Sequence, residues 1–225
     1  GIEVVNSSAN IDIATVIIDT TTGGHGILLD SNSGTYNSAT VDVTGTAGNG
    51  IYALANNAAI TMDSVVVSNT TYNGIVLENN LAGGTFTAQD VEVTDTDAAG
   101  VLVASNGGTV DITDLEIGET GKQGLFVTDT TANVTVDTAA VYNSAATYAA
   151  VEIGETTADV TFGNLDIHTV DTEATGFMTY NTASVGGAAG TIAVADASAI
   201  DMYNTTDLGG GINLASVDSD GADFE

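Results

Sequence analysis

Apolar residues fall at every second position in short stretches of this chain, and the stretches themselves recur. A small residue followed by an apolar one appears at Gly1-Ile2, Gly26-Ile27, Gly50-Ile51, Gly74-Ile75, Gly100-Val101, Gly124-Leu125, Ala150-Val151, Gly176-Phe177 and Gly211-Ile212. The first seven intervals are 25, 24, 24, 26, 24, 26 and 26 residues. The last is 35 and predicts an insertion, placed at residues 183–190, Ala-Ser-Val-Gly-Gly-Ala-Ala-Gly. Each unit holds three alternating stretches, as in Val101/Val103, Val110/Ile112 and Leu115/Ile117. Period-2 alternation over so few residues marks strands, and the units leave no room for a helix.

Three strands in a unit of 24–26 residues make one coil of a solenoid. A lone coil cannot bury its apolar face, but coils stacked at roughly 4.8 Å pair each strand with its equivalent one turn away. Eight to nine coils then form a rod roughly 40 Å long, and the expected fold is an all-β parallel β-helix. The pattern resembles the right-handed parallel β-helix repeat family, the pectate-lyase-like fold, over nearly the whole chain. That resemblance implies right-handed coils with three strands each. It leaves the function open, because lyases, hydrolases, phage spikes, adhesins and surface coats share the architecture. Residues 1–217 are expected to be a single β-helix domain, with 218–225 an acidic tail or the start of a linker.

Aligning the coils creates columns. Ser7, Asn32, Asn56, Asn80 and Asn106 lead into Thr130, Thr156 and Thr182. Asn tolerates left-handed turns, and stacked amides bond along a rod. A second column runs Thr21, Thr46, Thr70, Thr96, Thr120, Ser144, Val170 and Thr205, paired by Thr44, Ser68 and Thr94 in three coils. Paired Thr rows resemble ice-binding solenoids; a hydroxyl ladder at a corner is the preferred reading. Outward positions on the second and third strands are polar or acidic. On the first strand they are Glu3, then Leu28, Tyr52, Val76, Leu102 and Phe126, then Glu152 and Met178. A continuous apolar stripe facing solvent predicts a buried contact.

Composition narrows the choices. Among 225 residues, 30 are Asp or Glu and one, Lys122, is basic, for a net charge of −29. Such a chain repels nucleic acid, whose phosphates need Lys and Arg. It suits high salt or divalent cations, which screen self-repulsion. With 43% hydrophobic residues it is not a disordered acidic tail. No cysteine is present, so disulfides and thiolate metal sites are excluded. No apolar run approaches the ~20 residues of a membrane span, so membrane insertion is not expected. Gly1 in place of Met, and a first coil without a cap, predict a chain excised from a larger protein or one whose ends stack on neighbours.

Candidate chemistry is sparse. Gly24-His25-Gly26 resembles an active-site segment of the polygalacturonases. That family also carries Asn-Thr-Asp, Asp-Asp and Arg-Ile-Lys segments. Asn10-Ile11-Asp12 lacks the Thr, no Asp-Asp pair occurs, and there is no Arg. Gly26 is already the repeat glycine, and His25 shares its turn position with Asn49, Asn73, Ala99 and Gln123. The lyases of this fold resemble one another in using a Lys or Arg base with Ca²⁺, and Lys122 lies in a turn between Gly121 and Gln123. His25 and His168 are the only histidines and form no triad motif. Asp218, Asp220, Asp223 and Glu225 alternate around a glycine, a spacing that suits calcium without matching an EF-hand loop. Calcium is therefore the one candidate cofactor, and none is required.

These readings predict a structural, non-enzymatic protein outside the cell, part of a cell-surface layer, sheath, filament or adhesin stalk. Its interface would be Leu28, Tyr52, Val76, Leu102, Phe126 and Met178. Its partners would be copies of itself or other domains of one surface protein. The alternative is a carbohydrate-binding or carbohydrate-active module with Tyr52 and Phe126 as a glycan platform, and the third an ice-binding solenoid.

Overall fold

The computed structural model describes residues 1–145, 147–169, 174–187, 189–195, 197–205 and 213–220. In chain order the strands are β1 (Ile2–Val5), β2 (Ile11–Ile18), β3 (Ile27–Asp30), β4 (Tyr36–Thr46), β5 (Ile51–Leu54), β6 (Ala59–Thr70), β7 (Ile75–Glu78), β8 (Thr85–Thr96), β9 (Val101–Ala104) and β10 (Thr109–Thr120). They continue as β11 (Leu125–Thr128), β12 (Val134–Ser144), β13 (Ala149–Gly154), β14 (Asp159–Thr169), β15 (Thr175–Tyr180), β16 (Ser184–Gly186), β17 (Ala189–Ala195), β18 (Ile200–Tyr203) and β19 (Asn213–Asp220). All pairs are parallel and join equivalent strands of successive coils, which makes the fold a parallel β-helix. The short strands form a nine-stranded sheet A, from β1 to β18. The long ones form a ten-stranded sheet B, from β2 to β19.

The second and third stretches of each coil join into one long strand of sheet B. Its pairing skips one exposed residue near the strand end, at Asn69 and Asp95, and another earlier in the coil: Met62 pairs Ala88 and Ser64 pairs Asp90, passing over Asp63 and Gln89. That earlier position is the corner between the two apolar patterns. Both halves face inward as the alternation predicts. Ile27, Ile51, Ile75, Val101, Leu125, Val151 and Phe177 form one column, each no more than 1% exposed. Val43, Val67, Val93, Ile117, Val141, Ile167 and Ile192 face it from sheet B. Phe162 and Phe177 meet edge to face across the core, 6.4 Å between ring centres. Toward β1 and β2 the same columns are only partly buried, at Ile2, Val4, Ile11, Ile13 and Ile18.

The repeat glycine answers to space rather than to backbone angle. A methyl on Gly26, Gly50, Gly74, Gly100 or Gly124 would lie 2.6–2.8 Å from the carbonyl oxygen at the same position of the next coil. Ala150 carries that methyl in one coil. Left-handed backbone lies elsewhere: Asn6, Ser31, Ala55, Asn79, Ser105, Asp129, Glu155, Asn181 and Asn204 all have φ between 49° and 56°. These residues immediately precede the buried Asn/Thr column, so the left-handed turn falls one residue earlier than the sequence reading placed it. Polar side chains predominate there because Asn, Asp and Ser tolerate this conformation best.

The last coils correct the expected insertion. Residues 184–195 supply β16 and β17, which pair with β14 through Val160↔Val185 and Ile167↔Ile192. The chain stays in register although Gly187 and Gly190 adopt φ of +77° and +123°. Asp166 clasps the second break, its Oδ1 accepting from the Thr191 N–H at 2.8 Å and hydroxyl at 2.7 Å. Ile200 then pairs with Phe177, so sheet A resumes at β18. Gly211-Ile212 lies outside the described residues. The 217/218 boundary also moves, because β19 runs through Asp220, paired with Ala195. Thr205, assigned to the corner Thr column, instead bonds Thr182 of the Asn/Thr column and Thr179 of β15.

Candidate functional surface

Two hydrogen-bonded ladders fix the corners from inside. In the first, Asn56 Oδ1 accepts from the Asn32 N–H at 3.1 Å and the Asn32 Nδ2 at 3.0 Å. Asn80 Oδ1 repeats this toward Asn56, at 2.9 and 3.1 Å. The ladder stops at Asn106, whose Nδ2 turns to the Gly108 carbonyl and whose buried Oδ1 has no partner among the described residues. In the second ladder Asn49 Oδ1 accepts from the Asn73 N–H at 3.1 Å, and Asn73 Oδ1 from the Ala99 N–H at 3.0 Å.

His25 is the first rung of that second ladder. Its Nδ1 accepts from the Asn49 N–H at 3.1 Å, as the Asn side chains do above it. The ring meets Tyr52 edge to face at 5.0 Å. An accepting Nδ1 requires the neutral ring protonated at Nε2, and burial holds the His25 pKa below its ordinary value. His25 is thus committed to the backbone of the next coil. Lys122 is exposed, with Nζ 6.0 Å above the Tyr148 ring centre. His168 is exposed on β14, in a different coil from His25.

The corner threonines are also occupied. Thr46, Thr70, Thr96 and Thr120 are 2–4% exposed. Their hydroxyls donate to the carbonyls of Gly48, Tyr72, Ala98 and Lys122, each at 3.0 Å. Their pairing neighbours Thr44, Ser68 and Thr94 are half-buried.

The outward residues of sheet A come into register as expected: Leu28↔Tyr52, Tyr52↔Val76, Val76↔Leu102 and Leu102↔Phe126. Glu152 follows Phe126, and Met178 follows Glu152. Leu28, Tyr52, Leu102, Phe126 and Met178 are half-buried, whereas Val76 is only 3% exposed. Tyr52 stands beside Val76, and its hydroxyl reaches Glu78 Oε2 on the next strand at 2.5 Å, so the phenol shields the valine. Burial, the Glu78 hydrogen bond and the charges of Glu78 and Asp30 push the Tyr52 pKa up to about 12. Tyr180 behaves alike: burial and the charge of Glu152, whose Oε1 accepts its hydroxyl at 3.1 Å, raise it to about 12. The Tyr180 ring also covers Gly154, as Tyr142 covers Gly118 on sheet B.

Sheet B carries a feature the sequence reading missed. Asp90, Glu92, Asp114 and Glu116 border an open groove of about 340 Å³ with Val66 and Ala140. Glu92 and Glu116 belong to the acidic outward column. Asp90 and Asp114 join them because the long strand continues through the corner without a loop. Among the described residues, no three His, Asp or Glu side chains converge to hold a metal ion. Of the expected calcium ligands, Asp218 and Asp220 lie on β19, opposite Ala193 and Ala195. Their side chains, and Asp223 and Glu225 altogether, lie outside the described residues.

Fold and surface define a parallel β-helix with an acidic exterior and one apolar outer stripe. Comparison of the chain with family models, with curated proteins and with solved structures returned no match.

Proposed function

We propose that this chain is a structural, non-enzymatic building block of an extracellular assembly: a cell-surface layer, sheath, filament or adhesin stalk. Kinship with the surface-coat branch of the pectate-lyase-like β-helices belongs to the same proposal. One observation carries it. Five successive strands of sheet A turn Leu28, Tyr52, Val76, Leu102 and Phe126 outward, on a chain whose net charge is −29. Such a stripe is driven toward contact by burial of apolar area, at about 25 cal/mol per Å². The surrounding carboxylates oppose contact until salt or divalent cations screen them. Copies of the chain, or other domains of one surface protein, are its partners.

Electron microscopy at low and high salt, with and without Ca²⁺, tests the reading. Ordered filaments or sheets that appear as screening rises support it. Dispersed particles in every condition refute it and turn attention to glycans, for which the half-buried Tyr52 and Phe126 rings offer a platform.

A further inference from the structure

Two groups among the chain's asparagines contrast. Those of the two ladders, Asn32, Asn56, Asn80, Asn106, Asn49 and Asn73, are buried or half-buried. Most of their amides bond the neighbouring coil. None is followed two residues later by Ser or Thr. Four other asparagines are: Asn6-Ser7-Ser8, Asn69-Thr70-Thr71, Asn133-Val134-Thr135 and Asn204-Thr205-Thr206. All four are exposed.

Their placement also differs from that of the ladder asparagines. Asn6, Asn69 and Asn204 hold left-handed corners with φ of 52°, 53° and 51°, and Asn133 lies one residue before β12. Each therefore sits where the chain turns, away from the middle of either sheet face. No hydrogen bond engages the side-chain amides of Asn6, Asn69 or Asn133 among the described residues. Asn204 Nδ2 donates to Asn181 at 2.7 Å, and Thr206 lies outside the described residues. The third-position hydroxyls are open at Ser8 and Thr71 and half-open at Thr135.

We infer that Asn6, Asn69 and Asn133 are N-glycosylation sites. Asn-x-Ser/Thr is the acceptor signal in secreted chains, and an acceptor must stand free of packed structure. The donor is a glycan linked through pyrophosphate to a lipid. The amide nitrogen bonds to the anomeric carbon, the sugar–oxygen bond breaks, the lipid pyrophosphate leaves with the electron pair, and the amide proton passes to the transferase's base. Glycans on the corners leave the sheet A stripe uncovered and give an acidic rod a neutral hydrated sleeve. The inference rests on the extracellular reading proposed above.

The test uses the chain recovered from the cells that make it. Proteolysis of intact cells first establishes whether it lies outside. The chain has one Lys and no Arg, so peptides are generated by cleavage at Asp and analysed by mass spectrometry. Glycopeptides are expected at Asn6, Asn69 and Asn133. Enzymatic glycan release should convert each modified Asn to Asp, and Thr71→Ala should abolish modification at Asn69 while leaving Asn133 modified. An extracellular chain with unmodified asparagines at all three positions overturns the inference and leaves the structural reading standing. A chain protected inside the cell and unmodified overturns both.

Discussion

Replacing Asn56 by Ala probes the inner ladder at its centre. Asn56 is 2% exposed. Its Oδ1 serves the Asn32 N–H and Nδ2, and its Nδ2 serves Leu29 O at 2.8 Å and Asn80 Oδ1 at 3.1 Å. The substitution strands the Asn32 N–H in the core, at about 1–3 kcal/mol, and removes three further bonds at about 1 kcal/mol net each. Allowing for partial relaxation, the expected loss is about 3–5 kcal/mol. With a urea slope of about 3 kcal/mol per M, the midpoint falls by about 1–1.7 M. Stacked coils do not always unfold as one unit, so exchange of the Asn32 amide is followed alongside and should accelerate. Asn37→Ala is the control. Asn37 Nδ2 donates to Asp12 Oδ1 at 2.6 Å on an exposed face, and its loss should fall within about 0.5 kcal/mol of wild type. If Asn56→Ala matches that control, or leaves Asn32 exchange unchanged, the ladder does not hold the corner.

Three further outcomes follow from particular contacts. His25 must be neutral to accept from Asn49, and its folded pKa lies below the ordinary 6.5. The unfolded chain therefore takes up the proton first as pH falls. His25's share of stability is complete above the unfolded pKa and declines between it and the depressed folded value. Urea melts of wild type and His25→Asn, at fixed high salt, should keep a constant difference above about pH 7.5 and diverge to wild type's disadvantage below 6.5; a constant difference down to pH 5 would count against it. Alkaline absorbance titration should show Tyr52 and Tyr180 ionising at about 12. Tyr52→Phe should remove one such late step, and loss of a step near 10 instead would contradict the Glu78 contact. Val76→Asp should destabilise the monomer by about 2–4 kcal/mol in thermal melts, because it buries a charge without a partner. A Val76→Asp monomer as stable as wild type would show that Tyr52 does not cover the site.

Most of the architecture was legible because alternation and coil length act locally. Ile75/Leu77 or Val91/Val93 can bury only inward, and the repeat glycine marks each return of the chain. What failed has physical causes too. The last coil was misread because the return at Ala199-Ile200 carries Ala in place of the repeat glycine. The corner between second and third stretches was invisible as a continuous strand, because one skipped residue interrupts the period without breaking the chain. Left-handed residues were placed one position late, since Asn56 offers the turn's favourite side chain while Ala55 takes the turn. The apolar stripe was found, but sequence could not show that Tyr52 reaches across to Glu78 and hides Val76. His25 was correctly set among Asn49 and Asn73 from its column alone, and the hydrogen bond to Asn49 gives that placement its reason.

The central claim is that the outer face of sheet A mediates contact between copies or domains. Sedimentation velocity across a salt series, comparing wild type with a Leu102→Asp, Phe126→Asp double variant, tests it most directly. Both side chains are half-buried at the surface, so each variant's circular dichroism melt serves as the check on folding. Wild type should shift to large species as salt rises, while the folded double variant stays monomeric. Wild type that remains monomeric at every salt concentration, or a variant that assembles equally well, would contradict the claim.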